Sequence, residues 1–214
     1  DVNQPVIQGL PHVSPEDTIH EVKRLTGRMV AINLEPATIK NNDEESVWNL
    51  TAGRQATVDN ARKAADMGVD MIVLTGNPGV GVDNEAIIQA LSKLKDAVGD
   101  RVILTAGKMH ASGIISEAGE KILTEKDIVD FIDAGADVIL LPAPGTVPGI
   151  TMEYAGKLIK KAHEKGALAM TTIGTSQEGA DEDTIRQIAL MCKMAGADIH
   201  HIGDSGYTVS YTHL

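Results

Sequence analysis

The chain has 214 residues and a formal net charge of −11, and its 43% of hydrophobic residues are enough for one large core. Only 2% of the residues are aromatic, which argues against an aromatic-rich β-sandwich. The acidic balance without a block of lysine or arginine argues against nucleic acid as a partner, and the single cysteine, Cys192, excludes a disulfide framework. No apolar run approaches the roughly 18 residues of a membrane span and no secretory leader opens the sequence, so we expect a cytoplasmic location and no membrane partner.

Six short apolar runs predict six buried strands of a parallel sheet. Each run is apolar on successive residues, as in Met71-Ile72-Val73-Leu74, which is typical of a strand covered on both faces. The runs begin between 30 and 40 residues apart. In chain order they are residues 29–34, 69–74, 101–105, 136–141, 167–173 and 197–202.

Segments with apolar residues at helical spacing lie between these runs. Each begins at a residue that can cap a helix N-terminus, and most end at a glycine. The first helix is predicted from Ser14, with Asp17 in its first turn. Cys192 falls on the apolar side of the last helix and is predicted to be a core residue. The cap residues of the later helices are Asp83, Thr124, Thr151 and Asp181.

A Gly-x-Asp motif recurs between a helix and a strand, as Gly68-Val69-Asp70, Gly135-Ala136-Asp137 and Gly196-Ala197-Asp198. The chain is therefore a series of βα units of about 30 to 40 residues each. Such units form either an open doubly wound sheet or a closed barrel. The even spacing, and the absence of a dinucleotide-type glycine fingerprint, favour an α/β fold of the TIM-barrel type, (β/α)8.

Six strands do not close an eight-stranded barrel. Residues 1–13 have the composition of a βα loop, so we expect the chain to begin after strand 2 and to hold strands 3 to 8. Residues 1–209 would then form a single domain, an incomplete fragment of about six βα units whose open edges favour aggregation. Residues 210–214 lack a helical pattern and are predicted to be a non-native tail, with a native disordered tail as the alternative.

Active sites of such barrels lie at the C-terminal ends of the strands. After the first run, Asn33 is predicted to bind substrate and Glu35 to act as a general base or metal ligand, because a carboxylate there is costly to bury alone. A salt bridge from Glu35 to a lysine is the structural alternative. Asn77, in the Gly-rich stretch after the second run, is predicted to donate a hydrogen bond to substrate.

Lys108 and His110 follow the third run. Lys108 can form a Schiff base or neutralise an oxyanion, and His110 can transfer protons. A solvated lysine just beyond a strand is the alternative. The remaining isolated histidines, His12, His20 and His163, have no supporting neighbours and are predicted to be surface positions.

The loops after the last two runs are predicted to bind phosphate. Both contain glycines and hydroxyls, which can present a nest of backbone N–H groups to an anion. The alternative is that the glycines only form turns. Asp204 would repel phosphate unless it held a cation, so Mg²⁺ between Glu35 and Asp204 is a further alternative. The predicted phosphate-binding residues are Gly174, Thr175, Ser176, Gly203, Asp204, Ser205 and Gly206.

Three stretches, ADVILLPAPG (136–145), IGTSQEG (173–179) and GDSGY (203–207), are similar to a bacterial family of (β/α)8 barrels of the aldolase or ribulose-phosphate-binding type. The resemblance covers residues 1–209. It implies a phosphorylated, sugar-derived ligand, but it carries over no catalytic residue.

We therefore predict an enzyme that acts on a phosphorylated sugar or related metabolite as a lyase, aldolase or isomerase, with Glu35 as base and Lys108 or His110 as electrophile or acid. One alternative is Mg²⁺-dependent carbon–carbon or carbon–phosphorus chemistry of the phosphoenolpyruvate-mutase kind. Another is a non-catalytic barrel that senses a sugar phosphate. The expected partner is a small phosphorylated metabolite. The sequence is also compatible with a homo-oligomer.

Overall fold

The computed structural model describes residues 1–3, 5, 12–37, 50–76, 81–109, 119–173 and 181–202. Contacts within the chain define two compact units. The first comprises Asp1–Ala106 with Ala134–Ala136, and the second comprises Gly107–Asp133 with Asp137–Leu214. Helices and strands alternate through both units, as the sequence pattern predicts.

The first unit contains a parallel sheet in the order β1-β2-β3. Ala31 of β1 lies opposite Met71 of β2, which lies opposite Ile103 of β3. Its elements are α1 (Thr18–Thr26), β1 (Ala31–Leu34), a 3-10 turn (Ala52–Arg54), α2 (Val58–Asp66), β2 (Met71–Leu74), α3 (Asn84–Val98) and β3 (Ile103–Gly107), of which Gly107 belongs to the second unit.

The second unit contains a parallel sheet in the order β4-β5-β6. Leu141 of β4 lies opposite Thr171 of β5, which lies opposite His200 of β6. Its elements are a 3-10 turn (Gly119–Ile122), α4 (Glu125–Asp133), β4 (Val138–Pro142), α5 (Met152–Glu164), β5 (Leu168–Ile173), α6 (Glu182–Ala195) and β6 (Ile199–Ile202).

The predicted positions of the strands and helix caps agree closely with the structure, but the predicted burial on both faces is wrong for β1 and β6, which are partly exposed. All six strands are present, and each begins one or two residues after the predicted run. The side chains of Asp83, Thr151 and Asp181 each accept a hydrogen bond from the backbone N–H three residues later. Thr124 and Asp127 cap each other at the start of α4. Helical period and capping chemistry therefore located the later helices correctly.

The predicted start of the first helix is wrong. Helix α1 begins at Thr18 rather than at Ser14. Ser14 Oγ donates a hydrogen bond of 2.7 Å to the Asp17 carboxylate, and Asp17 N–H donates to the Ser14 carbonyl. These bonds close a turn ahead of the helix, so the polar residues that resemble a cap belong to the turn instead.

One face of the sheet in the first unit is lined by buried aliphatic side chains. Leu34, Ile72, Leu74 and Leu104 lie on one face and are at most 1% exposed. Side chains alternate along a strand, so Asn33 lies on the other face, and Asn33 is exposed. The residue two positions after Asn33 shares that face, which places Glu35 there as well.

Among helices in the described part of the chain, none is long and apolar enough to cross a membrane.

The Gly-x-Asp motif has a structural role in both units. Asp70 accepts hydrogen bonds of 2.8 Å from Val30 N–H and from Lys23 Nζ. In the second unit, the Asp198 carboxylate lies 2.8 Å from both Ala169 N and His163 Nε2. Each carboxylate thus ties the start of its strand to the neighbouring strand and to a preceding helix. His163 is an exposed surface position, as predicted, although it has a partner in Asp198 that the sequence did not indicate.

Both aspartates should contribute stability that depends on pH. The hydrogen bonds from Lys23 and Val30 lower the pKa of Asp70. For Asp198, burial acts to raise the pKa, but the hydrogen bonds from His163 and Ala169 outweigh it and lower the pKa. A carboxyl whose folded-state pKa is depressed stabilises the protein above its unfolded pKa, about 3.9, and loses this effect as the pH falls through the folded value.

We expect Asp70→Asn to lower the free energy of unfolding by about 1–3 kcal/mol at pH 7, because Lys23 and Val30 N–H lose a charged acceptor. The difference from the unmodified protein should shrink below about pH 4 as Asp70 protonates. Urea unfolding from pH 7 to pH 3 measures this. Asp100→Asn, at an exposed turn, is the matched control. A loss that does not change with pH would contradict the assignment.

Candidate functional site

Glu35 follows β1 and is 6% exposed. Its Oε1 accepts a hydrogen bond from Nη2 of Arg54, which forms an ion pair. The backbones of the two segments are also joined, since Glu35 N–H donates to Arg54 O at 2.7 Å and Ala56 N–H donates to Glu35 O at 2.9 Å. The structural alternative of a salt bridge is thus present, and Arg54 is one partner of Glu35 in it.

Asn60 holds the segment that carries Arg54. The Asn60 side chain is 9% exposed, and its Nδ2 donates to Ala52 O at 2.7 Å and to Gln55 O at 2.8 Å. Asn60 lies in the first turn of α2, whose N-terminus is capped by Thr57. Helix α2 therefore fixes the backbone on both sides of Arg54.

Gly76, just after β2, makes room for the Glu35 carboxylate. A Cβ atom at position 76 would lie 3.1 Å from Glu35 Cγ, 3.2 Å from Glu35 Oε2 and 2.9 Å from Val82 Cγ2. These separations are shorter than ordinary van der Waals contacts. A larger residue at position 76 would therefore displace Glu35 or Val82.

Two buried threonines share the sheet face of Glu35. Thr105 lies opposite Val73, and Thr75 is two residues further along β2, so both hydroxyls are on the face that carries Asn33. Thr105 is 0% and Thr75 is 2% exposed, and neither Oγ1 has a hydrogen-bond partner in the structure. Sequence analysis missed both, because a threonine in a strand is ordinarily a β-branched packing residue.

Lys108 belongs to the second unit and is 2% exposed. The alternative of a solvated lysine is therefore wrong. Lys108 follows Gly107, where an added Cβ would lie 1.8 Å from the carbonyl oxygen of Leu140 in β4. Within the second unit, the backbone at Gly107 thus approaches Leu140 so closely that only glycine fits. This contact fixes the chain immediately before the lysine.

The other predicted site residues lie outside the described residues. They include the predicted acid His110 and the predicted donor Asn77, and the tail at 210–214 lies outside as well. All of the predicted phosphate-binding residues also lie outside: Gly174, Thr175, Ser176, Gly203, Asp204, Ser205 and Gly206. Asn33 and Glu35 belong to the first unit, and Lys108 belongs to the second.

The described residues contain no group of three or more His, Cys, Asp or Glu side chains that could hold a metal ion. At Glu35, a divalent cation would have to compete with the Arg54 guanidinium for Oε1. Glu35 is therefore poorly suited to the Mg²⁺ site of the alternative mechanism, whose second ligand, Asp204, lies outside the described residues.

Cys192 lies in α6 and is 1% exposed, as predicted for a core residue. It packs with Ala143, Ile173 and Ile188. Burial raises the pKa of the Cys192 thiol, although a hydrogen bond with Thr171 acts in the opposite direction. A buried thiol with a raised pKa is a packing residue rather than a nucleophile.

A family model matches almost the whole chain, residues 1–212. The chain belongs to the family described as Domain of unknown function (DUF7916). Because the match extends through both units, the two sheets and the Gly-x-Asp motif of each unit lie within one family domain.

Part of this DUF7916 chain is similar to curated epimerases. A putative N-acetylmannosamine-6-phosphate 2-epimerase from Actinobacillus pleuropneumoniae serotype 5b (strain L20) is 37% identical over 83 residues, which are 39% of this chain and 31% of the epimerase. The corresponding protein from Haemophilus influenzae is 36% identical over 83 residues. The match thus spans about a third of the length of these relatives.

Solved structures of aldolases share the fold. Deoxyribose phosphate aldolase from Aeropyrum pernix, a tetramer, has a TM-score of 0.55 at 16% identity, covering 91% of this chain and 74% of the aldolase. A Schiff base-forming fructose-1,6-bisphosphate aldolase has a TM-score of 0.53 at 17% identity, covering 83% and 64%. The DUF7916 chain therefore has the fold of an incomplete (β/α)8 barrel, with about six βα units among the described residues. The numbering of these strands as 3 to 8 remains a prediction.

Proposed function

We propose that this protein is an enzyme that acts on a phosphorylated sugar or a related small metabolite, as an aldolase, another lyase or an isomerase. The observation that carries the proposal is the buried amino group of Lys108 at the end of β3. A lysine is rarely this deeply buried, and the C-terminal ends of strands hold the active sites of barrels. The names of the epimerase relatives, and the chemistry of the aldolases that share the fold, support the same class of substrate.

Lys108 has a chemical role both in a lyase reaction and in an isomerase reaction. Its amine can add to the carbonyl carbon of an open-chain sugar and form a Schiff base with loss of water. The resulting iminium withdraws electrons from the adjacent carbon, which favours carbon–carbon cleavage or removal of a proton. Alternatively, a protonated Lys108 neutralises the oxyanion of an enolate formed without a covalent bond.

Glu35 is the proposed base, and the remaining predicted residues bind the substrate. A carboxylate can remove the proton from the carbon next to the carbonyl. In this proposal Asn33, which is exposed, binds hydroxyl groups of the substrate. His110 as acid, Asn77 as donor and the two Gly-containing loops as phosphate site complete the proposal. A cytoplasmic location and a homo-oligomeric assembly are part of the same proposal.

The test is covalent trapping in the intact protein. We expect sodium borohydride to link N-acetylmannosamine 6-phosphate, deoxyribose phosphate or fructose 1,6-bisphosphate to the peptide that contains Lys108, as detected by mass spectrometry. The same substrates in D₂O report exchange of the proton next to the carbonyl. Exchange without trapping would assign Lys108 to the non-covalent role. A protein that neither traps, exchanges nor cleaves any of them, yet binds one, would be a sensing barrel, which contradicts the proposal.

A further inference from the structure

Strand β6 of the second unit carries two adjacent histidines, which lie on opposite faces of the sheet. His200 lies opposite Thr171 of β5, and its Nδ1 is 3.3 Å from the Thr171 hydroxyl oxygen. Ile173, two residues after Thr171 and therefore on the same face, packs with Cys192 of α6. Helix α6 thus packs on the face that carries His200, and His201 lies on the other face.

His201 lies at the carboxyl end of the sheet, next to side chains that leave its ring unpaired. It is opposite Thr172 of β5, which is opposite Pro142 of β4, and each of the three is the last or the last but one residue of its strand. The Thr172 hydroxyl already donates to the Leu141 carbonyl at 3.3 Å, and proline has no N–H to offer. Barrels bind their ligands at this end of the strands.

The two ring nitrogens of His201 have different surroundings. Nδ1 is enclosed by protein and has no hydrogen-bond partner among the described residues. The residue as a whole is partly exposed, and Nε2 is not one of the enclosed nitrogens. A neutral imidazole carries its proton on one nitrogen, and a proton on Nδ1 would be a buried donor without an acceptor. The proton is therefore assigned to Nε2, the nitrogen that a ligand can reach.

We propose that His201 is a catalytic hydrogen-bond donor, whose Nε2–H binds the carbonyl oxygen of an open-chain phosphorylated sugar. The inference rests on the proposed function. When an amine adds to the carbonyl carbon, the π electron pair of the carbonyl moves onto this oxygen. When the adjacent carbon instead loses its proton to a base, the electron pair of the C–H bond makes the oxygen negative in the same way. In both cases Nε2–H stabilises the oxyanion and keeps its own proton.

Two substitutions of His201 in the intact protein test the role of Nε2, with N-acetylmannosamine 6-phosphate as substrate. The amide of glutamine can place an N–H donor near the position of Nε2, whereas the shorter amide of asparagine lies nearer to Nδ1. We expect His201→Asn to lower kcat about 10²–10³-fold, the usual effect of removing one such donor, while KM changes less than about threefold. His201→Gln should recover part of kcat. His200→Asn, at the exposed histidine on the α6 face, is the matched control and should leave kcat unchanged.

Nitrogen-15 NMR of histidine-labelled protein tests the inference without relying on turnover. The spectrum distinguishes the Nε2–H from the Nδ1–H tautomer, and the signals of His201 are those that are missing in His201→Gln. We expect the Nε2–H tautomer, and a displacement of the His201 Nε2 signal when N-acetylmannosamine 6-phosphate is added. The signals of His200 should move less.

An Nδ1–H tautomer at His201 would overturn the inference, and so would an Nε2 signal that does not respond to N-acetylmannosamine 6-phosphate, whether or not this sugar is turned over. A His201→Asn enzyme with the kcat of the unmodified protein would overturn it while the proposed function stands. A rise in KM at unchanged kcat would do the same, because His201 would then bind substrate without stabilising the oxyanion. Failure of the proposed function is a separate result, in which the unmodified protein neither traps, exchanges nor cleaves any of the phosphosugars.

Discussion

Replacing Lys108 with methionine is expected to reduce turnover of phosphosugar substrates by about 10³-fold or more, because no other group supplies the amine in the proposed mechanism. Methionine has a similar length and fills the buried site without a charge. The fold should therefore be retained, as measured by circular dichroism and urea unfolding. Steady-state kinetics on the trapped substrate measures the loss.

Lys108→Arg separates the two roles of the lysine. Arginine keeps the positive charge but does not form a Schiff base with sugar carbonyls at neutral pH. Loss of turnover in both variants would support the covalent route, and turnover retained only in Lys108→Arg would support oxyanion neutralisation. Lys160→Met, at a side chain that is 79% exposed, is the matched control in the same unit. A Lys108→Met enzyme with unchanged turnover would contradict the proposed function.

Replacing Gly107 with alanine is expected to lower the free energy of unfolding by about 3 kcal/mol and to reduce turnover as well. The new Cβ would lie 1.8 Å from the Leu140 carbonyl oxygen, so the backbones at positions 107 and 140 must separate. Because Lys108 is the next residue, the same movement displaces its amine. Urea unfolding and kinetics on one preparation measure both effects.

Gly166→Ala is the control for Gly107→Ala. Gly166 has a φ of +86° and nothing within 4 Å of an added Cβ, so alanine there introduces backbone strain without a clash. We expect a cost of about 1–2 kcal/mol and unchanged turnover. If Gly107→Ala were no more destabilising than Gly166→Ala, the close approach of Gly107 to the Leu140 carbonyl would be wrong.

For Glu35, the sequence predicted a buried carboxylate but did not predict that Arg54 is its partner. A carboxylate directly after a buried strand indicates a buried acid that needs a partner, and this expectation was correct. Its partner, Arg54, lies 19 residues away in the chain. Arg54 is brought to Glu35 because Gln55 pairs with Glu35 at the end of β1 and Asn60 binds backbone carbonyls on either side of Arg54. No local pattern around Arg54 contains that information.

Local chemistry was therefore sufficient for the elements of the fold. Runs of apolar residues identified the six strands, and the cap residues Asp83, Thr151 and Asp181 identified the starts of three helices, because each depends on neighbours a few residues away. At Ser14 the same chemistry served a turn instead, which shows that a cap and a turn use the same side chains.

The sequence by itself determined that βα units repeat, that Cys192 is a core residue, and that Glu35 and Lys108 end strands. Tertiary structure alone decided that Lys108 is buried, that Arg54 binds Glu35, and that two of the repeated aspartates bind helix residues, Lys23 and His163. The physical reason is the separation along the chain between the residues that interact. Strands and caps are set by neighbours in the chain, whereas burial and ion pairing depend on residues that only the folded sheets bring into contact.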